Sequence, residues 1–275
     1  MNASPTPRLD AWIDGVGLLG PGLPDWPSAA AVLCATAPYR PARTELPAPQ
    51  MLPPAERRRA TAPVKLALAA GREALAMADR RADDLRTVFA ASGGDGANCH
   101  ALCETLASDD RLVSPTRFHN SVHNAASGYW SIAMHAMAPS TVICAPHDGS
   151  FAAGLIEAVV QAQTSGEDVL LVAYDTDYPE PLRSVRPIPD SFGLALLLSP
   201  RGGSDSAARV VVDPAGLFTE APASTLDRPD LEALRRAIPA ARALPLLERV
   251  ARRAAGPVVL DHSPGQQLRL HVSPC

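Results

Sequence analysis

The chain has 275 residues, with 25 Lys and Arg against 29 Asp and Glu, so its formal charge is −4. Apolar residues make up 47% and charged residues 20%, which is typical of a folded globular chain and excludes a disordered one. The slightly acidic balance gives no general attraction for nucleic acid or an anionic membrane, and no run approaches the roughly 20 apolar residues of a membrane span. Asp10 and Asp14 interrupt the apolar stretch that a secretory signal needs. We therefore expect a soluble, cytoplasmic protein.

Apolar runs and helical spacing alternate along the first 200 residues, which predicts an α/β sheet covered on both faces. A proline-rich stretch, 38–54, interrupts this pattern and is expected to be irregular. We predict strands at 11–20, 87–92, 140–145, 168–173 and 191–198, helices at 63–78 and 124–136, and two more helices that end near 107 and 163.

After residue 200 the alternation of apolar runs and helical spacing ends. Residues 208–212 predict one more strand, which we expect to be antiparallel. Residues 231–254 predict a helix, and residues 257–260 predict a short strand. We expect two units, a domain over 1–200 and a short carboxy-terminal extension over 201–275 that packs on it.

The five cysteines are odd in number and irregularly spaced, which in a large chain without a secretory signal predicts small buried hydrophobic side chains. Cys99 and Cys103 are four residues apart and share a helix face, but no Cys-x-x-Cys pair supports a metal site. We expect structural thiols, with no metal and no cofactor.

His119 and His123 have the i, i+4 spacing that binds zinc on a helix. In the zinc motif a glutamate follows the first histidine, and Asn120 stands there instead. His135 or His147 could complete a site, although nothing in the spacing fixes their distance. Histidines that hydrogen-bond a loop and line a groove or interface are the better interpretation, and a zinc-dependent hydrolase stays an alternative.

Two turns follow predicted strands. Gly93-Gly-Asp-Gly96 is similar to a phosphate cradle but matches neither nucleotide-binding fingerprint, and a tight turn explains its glycines. The turn Pro146-His-Asp-Gly149 leads into a helix, and helix N-termini at such junctions commonly carry nucleophiles. Ser150 does not fit the G-x-S-x-G pattern, and Cys144 lies before the turn, within the strand, where we expect its thiol to be inert.

Residues 114–176 contain, in order, the loop SPTRFHNSVHN, a helix with Asn124 and Gly128, a strand, the turn just described, a helix and a strand. This order resembles the amino-terminal half of β-ketoacyl synthases of the thiolase fold. The early helix 66–75 and the strand 190–198 extend the resemblance over roughly residues 10–200. The resemblance implies a layered α-β-α domain with a mixed central sheet.

Two departures from that family concern its catalytic residues. The nucleophilic cysteine should fall at His147 or Asp148, and neither is cysteine. The family's catalytic histidines belong to its carboxy-terminal half, which the residues after 200 are too few to encode, and neither His262 nor His271 lies in a matching motif. We therefore expect no catalytic residue for condensation.

A β-ketoacyl synthase relative without its nucleophile resembles a chain length factor of type II polyketide synthesis. The compact length is similar to the partner subunits of aryl polyene (xanthomonadin-type) pigment synthesis. The resemblance implies a heterodimer with an active β-ketoacyl synthase, which receives substrate from an acyl carrier protein. A residual acyltransferase or malonyl decarboxylase that uses His147 and Asp148 is the other alternative.

The resemblance also assigns candidate residues. The segment at 117–121 would approach the partner's active site, and the strand at 140–145 would pair with its counterpart in the partner. The candidates for the wall of the acyl tunnel are Arg117, Phe118 and Ser121, and those for the interface are Tyr129, Trp130, Thr141 and Ile143. For Phe118, Tyr129 and Trp130, packing in the core is an equally good interpretation.

Overall fold

A mixed β-sheet organises the chain. The structure is a computed structural model that describes residues 9–144, 147–212 and 218–275. Within these residues nine strands form one sheet, in the order β3-β2-β4-β5-β1-β6-β9-β7, with β8 paired to β9. The strands are β1 (Leu9–Leu19), β2 (Arg86–Ala91), β3 (Ser140–Cys144), β4 (Val169–Asp175), β5 (Phe192–Ser199), β6 (Ala208–Val212), β7 (Phe218–Thr219), β8 (Gly256–Ser263) and β9 (Gln266–Pro274).

Ten α-helices connect or cover these strands within the described residues. They are α1 (Trp26–Leu33), α2 (Pro54–Arg59), α3 (Ala62–Met77), α4 (Gly96–Ala107), α5 (Pro115–His119), α6 (Ala125–Met134), α7 (Ser150–Ser165), α8 (Leu182–Val185), α9 (Pro229–Ala237) and α10 (Leu244–Ala251). Two 3-10 helices, His147–Gly149 and Pro239–Ala243, precede α7 and α10.

The direction of the strands defines where the site can lie. β2 runs parallel to both β3 and β4, whereas the pairs from β4 through β5 and β1 to β6 and β9 are antiparallel. The carboxyl ends of β2, β3 and β4 therefore meet at one edge of the sheet, which is the usual position of a crevice in α/β folds.

Both faces of the sheet are buried at β2, β4 and β5. Along β2, Val88 and Ala90 belong to a core that includes Phe151 and Leu155 of α7, whereas Phe89 belongs to a second core with α3 and α6. This alternation follows from the two-residue period of a strand. The helix-sheet-helix layering agrees with the predicted fold class.

The carboxy-terminal residues extend the same sheet. β6 pairs with β1 and β9 pairs with β6, and Leu246 and Leu268 belong to the same core as Leu155. Residues 201–275 thus contribute strands and core side chains to the sheet that the first 200 residues begin. The boundary at residue 200 stays a prediction.

Two predictions for this region were wrong in detail. The single helix predicted over 231–254 is divided into α9, a 3-10 helix and α10, because Pro239 and Pro245 cannot donate the backbone hydrogen bonds that a continuous helix needs. The predicted strand at 257–260 is part of a longer hairpin, whose second strand, β9, was not predicted.

Close approach of β1 to α3 depends on glycine. A Cβ at Gly17 would lie 2.0 Å from the Ala70 carbonyl oxygen and 2.8 Å from the Ala74 nitrogen. These are backbone atoms, so the contact can be relieved only if the helix moves away from the sheet.

We expect Gly17→Ala to lower the free energy of unfolding by about 3 kcal/mol, because overpacking of this kind forces the backbone to shift. Gly128→Ala is the matched control: this glycine is exposed on α6 with no atom within 4 Å of an added Cβ, so alanine should stabilise the chain by about 1 kcal/mol. Urea denaturation of both variants measures the two effects, and equal midpoints would contradict the proposed packing.

Candidate functional site

The candidate site lies where β2, β3 and β4 end. Ser92 follows β2, Cys144 ends β3 and Asp175 ends β4. The 3-10 helix His147–Gly149 and then α7 follow β3, so the N-terminus of α7 faces this edge. Residues 145 and 146 and the side chain of His147 lie outside the described part of the structure.

Asp148, a predicted nucleophile-equivalent residue, is held in an ion-pair network. Its Oδ2 lies 2.8 Å from Nη2 of Arg242, whose Nη1 lies 3.3 Å from Asp261. Arg235 also binds Asp261, at 2.7 Å, and pairs with Glu232. Asp148 therefore has a structural partner from the 3-10 helix Pro239–Ala243.

The hairpin of β8 and β9 covers the same turn. A Cβ at Gly149 would lie 1.8 Å from the carbonyl oxygen of His262, so the two backbones are in direct contact. The ring of Phe218 contacts that of His262, with the centroids 4.8 Å apart and the planes tilted by 48°, and burial lowers the pKa of the imidazole. The carboxy-terminal hairpin thus packs directly on the turn that would carry a nucleophile.

Tyr178 explains the glycine-rich turn after β2. A Cβ at Gly96 would lie 2.6 Å from Cδ1 of Tyr178, and one at Gly93 would lie 2.2 Å from its hydroxyl oxygen. Asp95 caps α4 by accepting a hydrogen bond from the Asn98 backbone nitrogen at 2.9 Å. The glycines make room for an aromatic ring. This supports the interpretation of the segment as a tight turn rather than as a phosphate cradle.

Asp175 is a buried carboxylate that joins three segments. It accepts hydrogen bonds from the backbone nitrogen of Ser92 at 3.0 Å and of Ala240 at 2.8 Å, and also from the Ser92 hydroxyl. Burial raises the pKa of Asp175 to about 6, although these hydrogen bonds and the charge of Arg186 lower it.

The pH dependence of stability should report this carboxyl. Because its pKa in the folded chain is above the ordinary value of 3.8, Asp175 contributes stability that is fully present below about pH 4 and is lost as the pH rises through about 6. The whole difference corresponds to about 3 kcal/mol. Urea unfolding across this range should show that the wild type loses more stability toward neutral pH than Asp175→Asn does; parallel pH profiles would contradict the assignment.

The predicted tunnel-wall residues lie on an exposed segment. Arg117 and Phe118 are in α5 and Ser121 follows it, and all three are exposed, Phe118 to 71%. Ser121 donates to the Phe118 carbonyl oxygen at 2.7 Å, and the Asn98 amide donates to the Arg117 carbonyl oxygen at 2.8 Å.

A cavity of about 340 Å³ lies beside this segment. His123, like Ser121, lines it from the segment between α5 and α6. The other lining residues come from the glycine-rich turn, from α4, from the loop after β4 and from α8; they include Gly94, Cys99, Leu102, Tyr178 and Leu182. The structure thus brings Ser121 to a cavity, whereas Arg117 and Phe118 do not line it. The contributions of α4 and Tyr178 were not predicted.

The edge strand and the neighbouring helices leave much apolar surface uncovered. Thr141 and Ile143 are partly buried on β3, whose other edge has no partner strand among the described residues. In α4 only Gly96 and Asn98 are buried. The exposed apolar side chains in this region are Leu106, Leu112, Phe118, Val122, Ile132 and Met137.

Tyr129 and Trp130 are not at the surface. They are 2% and 1% exposed, and the Trp130 ring packs edge-on against Phe89 of β2. Their prediction as interface residues was therefore wrong and the core interpretation is correct: the apolar face of α6 on which they lie is turned toward the sheet.

The histidine and cysteine predictions also need correction. α5 ends at His119 and His123 lies in the following turn, so the two do not share a helix face. Across residues 9–144, 147–212 and 218–275 no group of three metal-ligating side chains is found. Cys99, Cys103, Cys144 and Cys275 are exposed and Cys34 is half-buried, contrary to the prediction of buried thiols.

Comparison with known proteins establishes the family. A family model described as "Beta-ketoacyl synthase, N-terminal domain" matches residues 32–249. The chain therefore belongs to this family. No match is found among curated protein sequences, and no helix within the described residues is long and apolar enough to cross a membrane.

Solved structures share the fold across nearly the whole chain. A chain from the complex of a ketosynthase with its chain length factor from Xenorhabdus doucetiae is 22% identical, with a TM-score of 0.70 and coverage of 95% of this chain and 98% of that one. A chain of the ishigamide ketosynthase/chain length factor is 15% identical, with a TM-score of 0.69 and coverage of 96% of this chain and 99% of that one. A chain of the AntDE:AntF complex, in which a type II PKS acyl-carrier protein is bound to its ketosynthase, is 11% identical. Its TM-score is 0.73, and the match covers 98% of this chain and 100% of that one.

Proposed function

We propose that this chain is a non-catalytic chain length factor, which pairs with an active β-ketoacyl synthase and shapes the tunnel for its acyl chain. The observation that carries the proposal is the turn before α7. His147 and Asp148 stand where the family's cysteine is expected, and Asp148 is bound to Arg242. A carboxylate in an ion pair offers no sulfur for a thioester, so carbon–carbon bond formation needs a nucleophile from another chain.

The open edge of the sheet supports pairing with a partner. An edge strand presents unpaired backbone N–H and C=O groups, which natural proteins normally pair, cover or charge. β3 has none of these protections among the described residues: its sequence is STVIC, and it carries no charge. A strand from a partner subunit would extend the sheet here.

The apolar surface around α4 and α5 supports the same partner. A 12-residue helix with only two buried residues gains little stability from its own chain. Covering Leu106, Phe118 and Val122 would remove apolar area from water. The cavity beside Ser121 then lies next to the proposed interface, where its volume would limit the length of an acyl chain.

The relatives point to the class of partner. The similar structures include complexes of ketosynthases with chain length factors, and one contains an acyl-carrier protein. We propose the corresponding arrangement here: a heterodimer with an active ketosynthase, loaded by an acyl carrier protein, in type II polyketide synthesis of the aryl polyene kind.

Pairing can be tested with one exposed residue. Co-expression with a ketosynthase of an aryl polyene pathway should yield a heterodimer, and Phe118→Arg should weaken it by tenfold or more, because a charge would be desolvated in the interface. Thr36→Arg adds the same charge at an exposed position after α1, a helix that packs on β1 and α10 and is therefore remote from β3, and should leave the affinity unchanged. Retention of full affinity in Phe118→Arg, or equal loss in both variants, would contradict the proposal.

Catalysis is tested at the turn itself. His147→Ala should leave product formation by the heterodimer within about twofold of the wild type, since no chemical step is assigned to this side chain. Replacing the ketosynthase's nucleophilic cysteine is the control and should abolish the product. A loss of more than tenfold in His147→Ala with normal assembly would instead favour a residual acyltransferase or malonyl decarboxylase.

A further inference from the structure

The 3-10 helix Pro239–Ala243 is held at two points by residues distant in sequence. At one point the Ala240 backbone nitrogen donates to Oδ2 of the buried Asp175 at 2.8 Å. Two residues later, Arg242 binds Asp148 at 2.8 Å and Asp261 at 3.3 Å. The short helix thus connects the carboxyl end of β4 to the turn before α7.

Arg242 also stands between two cavities that share Asp148. The smaller cavity, of about 230 Å³, is lined by Asp148, Gly149, Asp261 and the end of the hairpin. The larger, of about 560 Å³, is lined by Asp148, Arg236 and Pro239 among others. The Arg242 guanidinium binds Asp148 and Asp261, which line the smaller cavity. It also donates a hydrogen bond, at 3.2 Å, to the carbonyl oxygen of Arg236, which lines the larger cavity.

We propose that Asp175 and Arg242 form a latch, in which Asp175 positions the 3-10 helix so that Arg242 holds the turn at 147–149 closed. With the latch engaged, the ion pair between Arg242 and Asp148 separates the two cavities. Asp175 is a positioning residue, since it acts on the turn only through Ala240 and Arg242.

The latch responds to pH in a defined direction. The closed state holds Asp175 away from water, and an open state would expose the carboxyl and return its pKa toward 3.8. The closed state therefore binds the proton more tightly, and a fall in pH favours closure. The groups that face Asp175 are Arg186, Tyr174 and Tyr178. Both tyrosines have raised pKa values and stay neutral. Burial lowers the pKa of His262, on the hairpin that packs on Gly149, so protonation of this imidazole acts in the opposite sense to that of Asp175.

Hydrogen exchange of the isolated chain, read by mass spectrometry over residues 147–155 and 238–244, tests the latch without a partner protein. After correction for intrinsic rates, opening should be about tenfold more frequent at about pH 8 than at about pH 5, from the two pKa values given. Asp175→Asn should remove this dependence, whereas Asp177→Asn, two residues further on and paired with Arg43 and Arg183, should keep it.

Arg242→Ala tests the second point of the latch. It should increase exchange over 147–150 several-fold while residues 238–241 keep their pH dependence, and Arg242→Lys should restore part of the protection by keeping a cation beside Asp148. Unchanged exchange over 147–150 in Arg242→Ala, or an opposite pH dependence in the wild type, would overturn the proposal. Because this experiment needs no ketosynthase, its failure is distinct from a failure to form the heterodimer.

Discussion

The open edge of the sheet at β3 is the constraint on which the functional interpretation depends. The strands β2, β4, β5, β1 and β6 each have a neighbouring strand on both sides. At β3 the ladder of hydrogen bonds ends, and the side chains from Thr141 to Ile143 are only partly buried. Backbone groups at such an edge are stabilised by a further strand. The carboxyl end of β3, at Cys144, lies near Tyr178, which lines the cavity at Ser121, so a partner that completes the sheet would also reach the cavity.

Much of the fold could be predicted because its signals are local in sequence. The buried strands β2, β4 and β5 are unbroken apolar runs between glycine, proline or charged residues, and α3 has clear helical spacing. β9 was missed although Leu268, Leu270 and Val272 alternate with polar residues; this is a recognisable strand signal. The division of the last helix could also have been predicted, since Pro239 and Pro245 lie inside it. The error for Tyr129 and Trp130 was different, because composition does not show which face of α6 is turned toward the sheet.

The site could be predicted only in part, since its important contacts join residues that are far apart in the chain. The turn before α7 was found from the order of strand, turn and helix, and Asp175 stands in a suggestive position at the end of an apolar strand. Nothing in the sequence, however, shows that Arg242 reaches Asp148, that Ala240 reaches Asp175, or that Tyr178 fills the space left by Gly96. These contacts depend on where the carboxy-terminal residues cross the sheet, and this position cannot be predicted from the spacing of residues in the sequence.

The contacts of the carboxy-terminal residues support the proposal that this chain does not itself carry out condensation. In a catalytic subunit, the N-terminus of the helix after the nucleophile must stay open to substrate, because the backbone N–H groups there stabilise developing negative charge. Here the hairpin of β8 and β9 packs on Gly149, and Arg242 neutralises Asp148. The N-terminus of α7 is thus occupied by contacts within the chain. The apolar surface of β3, α4 and α5 stays exposed beside a cavity, and in the proposed function it is this surface, rather than the turn before α7, that contributes to synthesis.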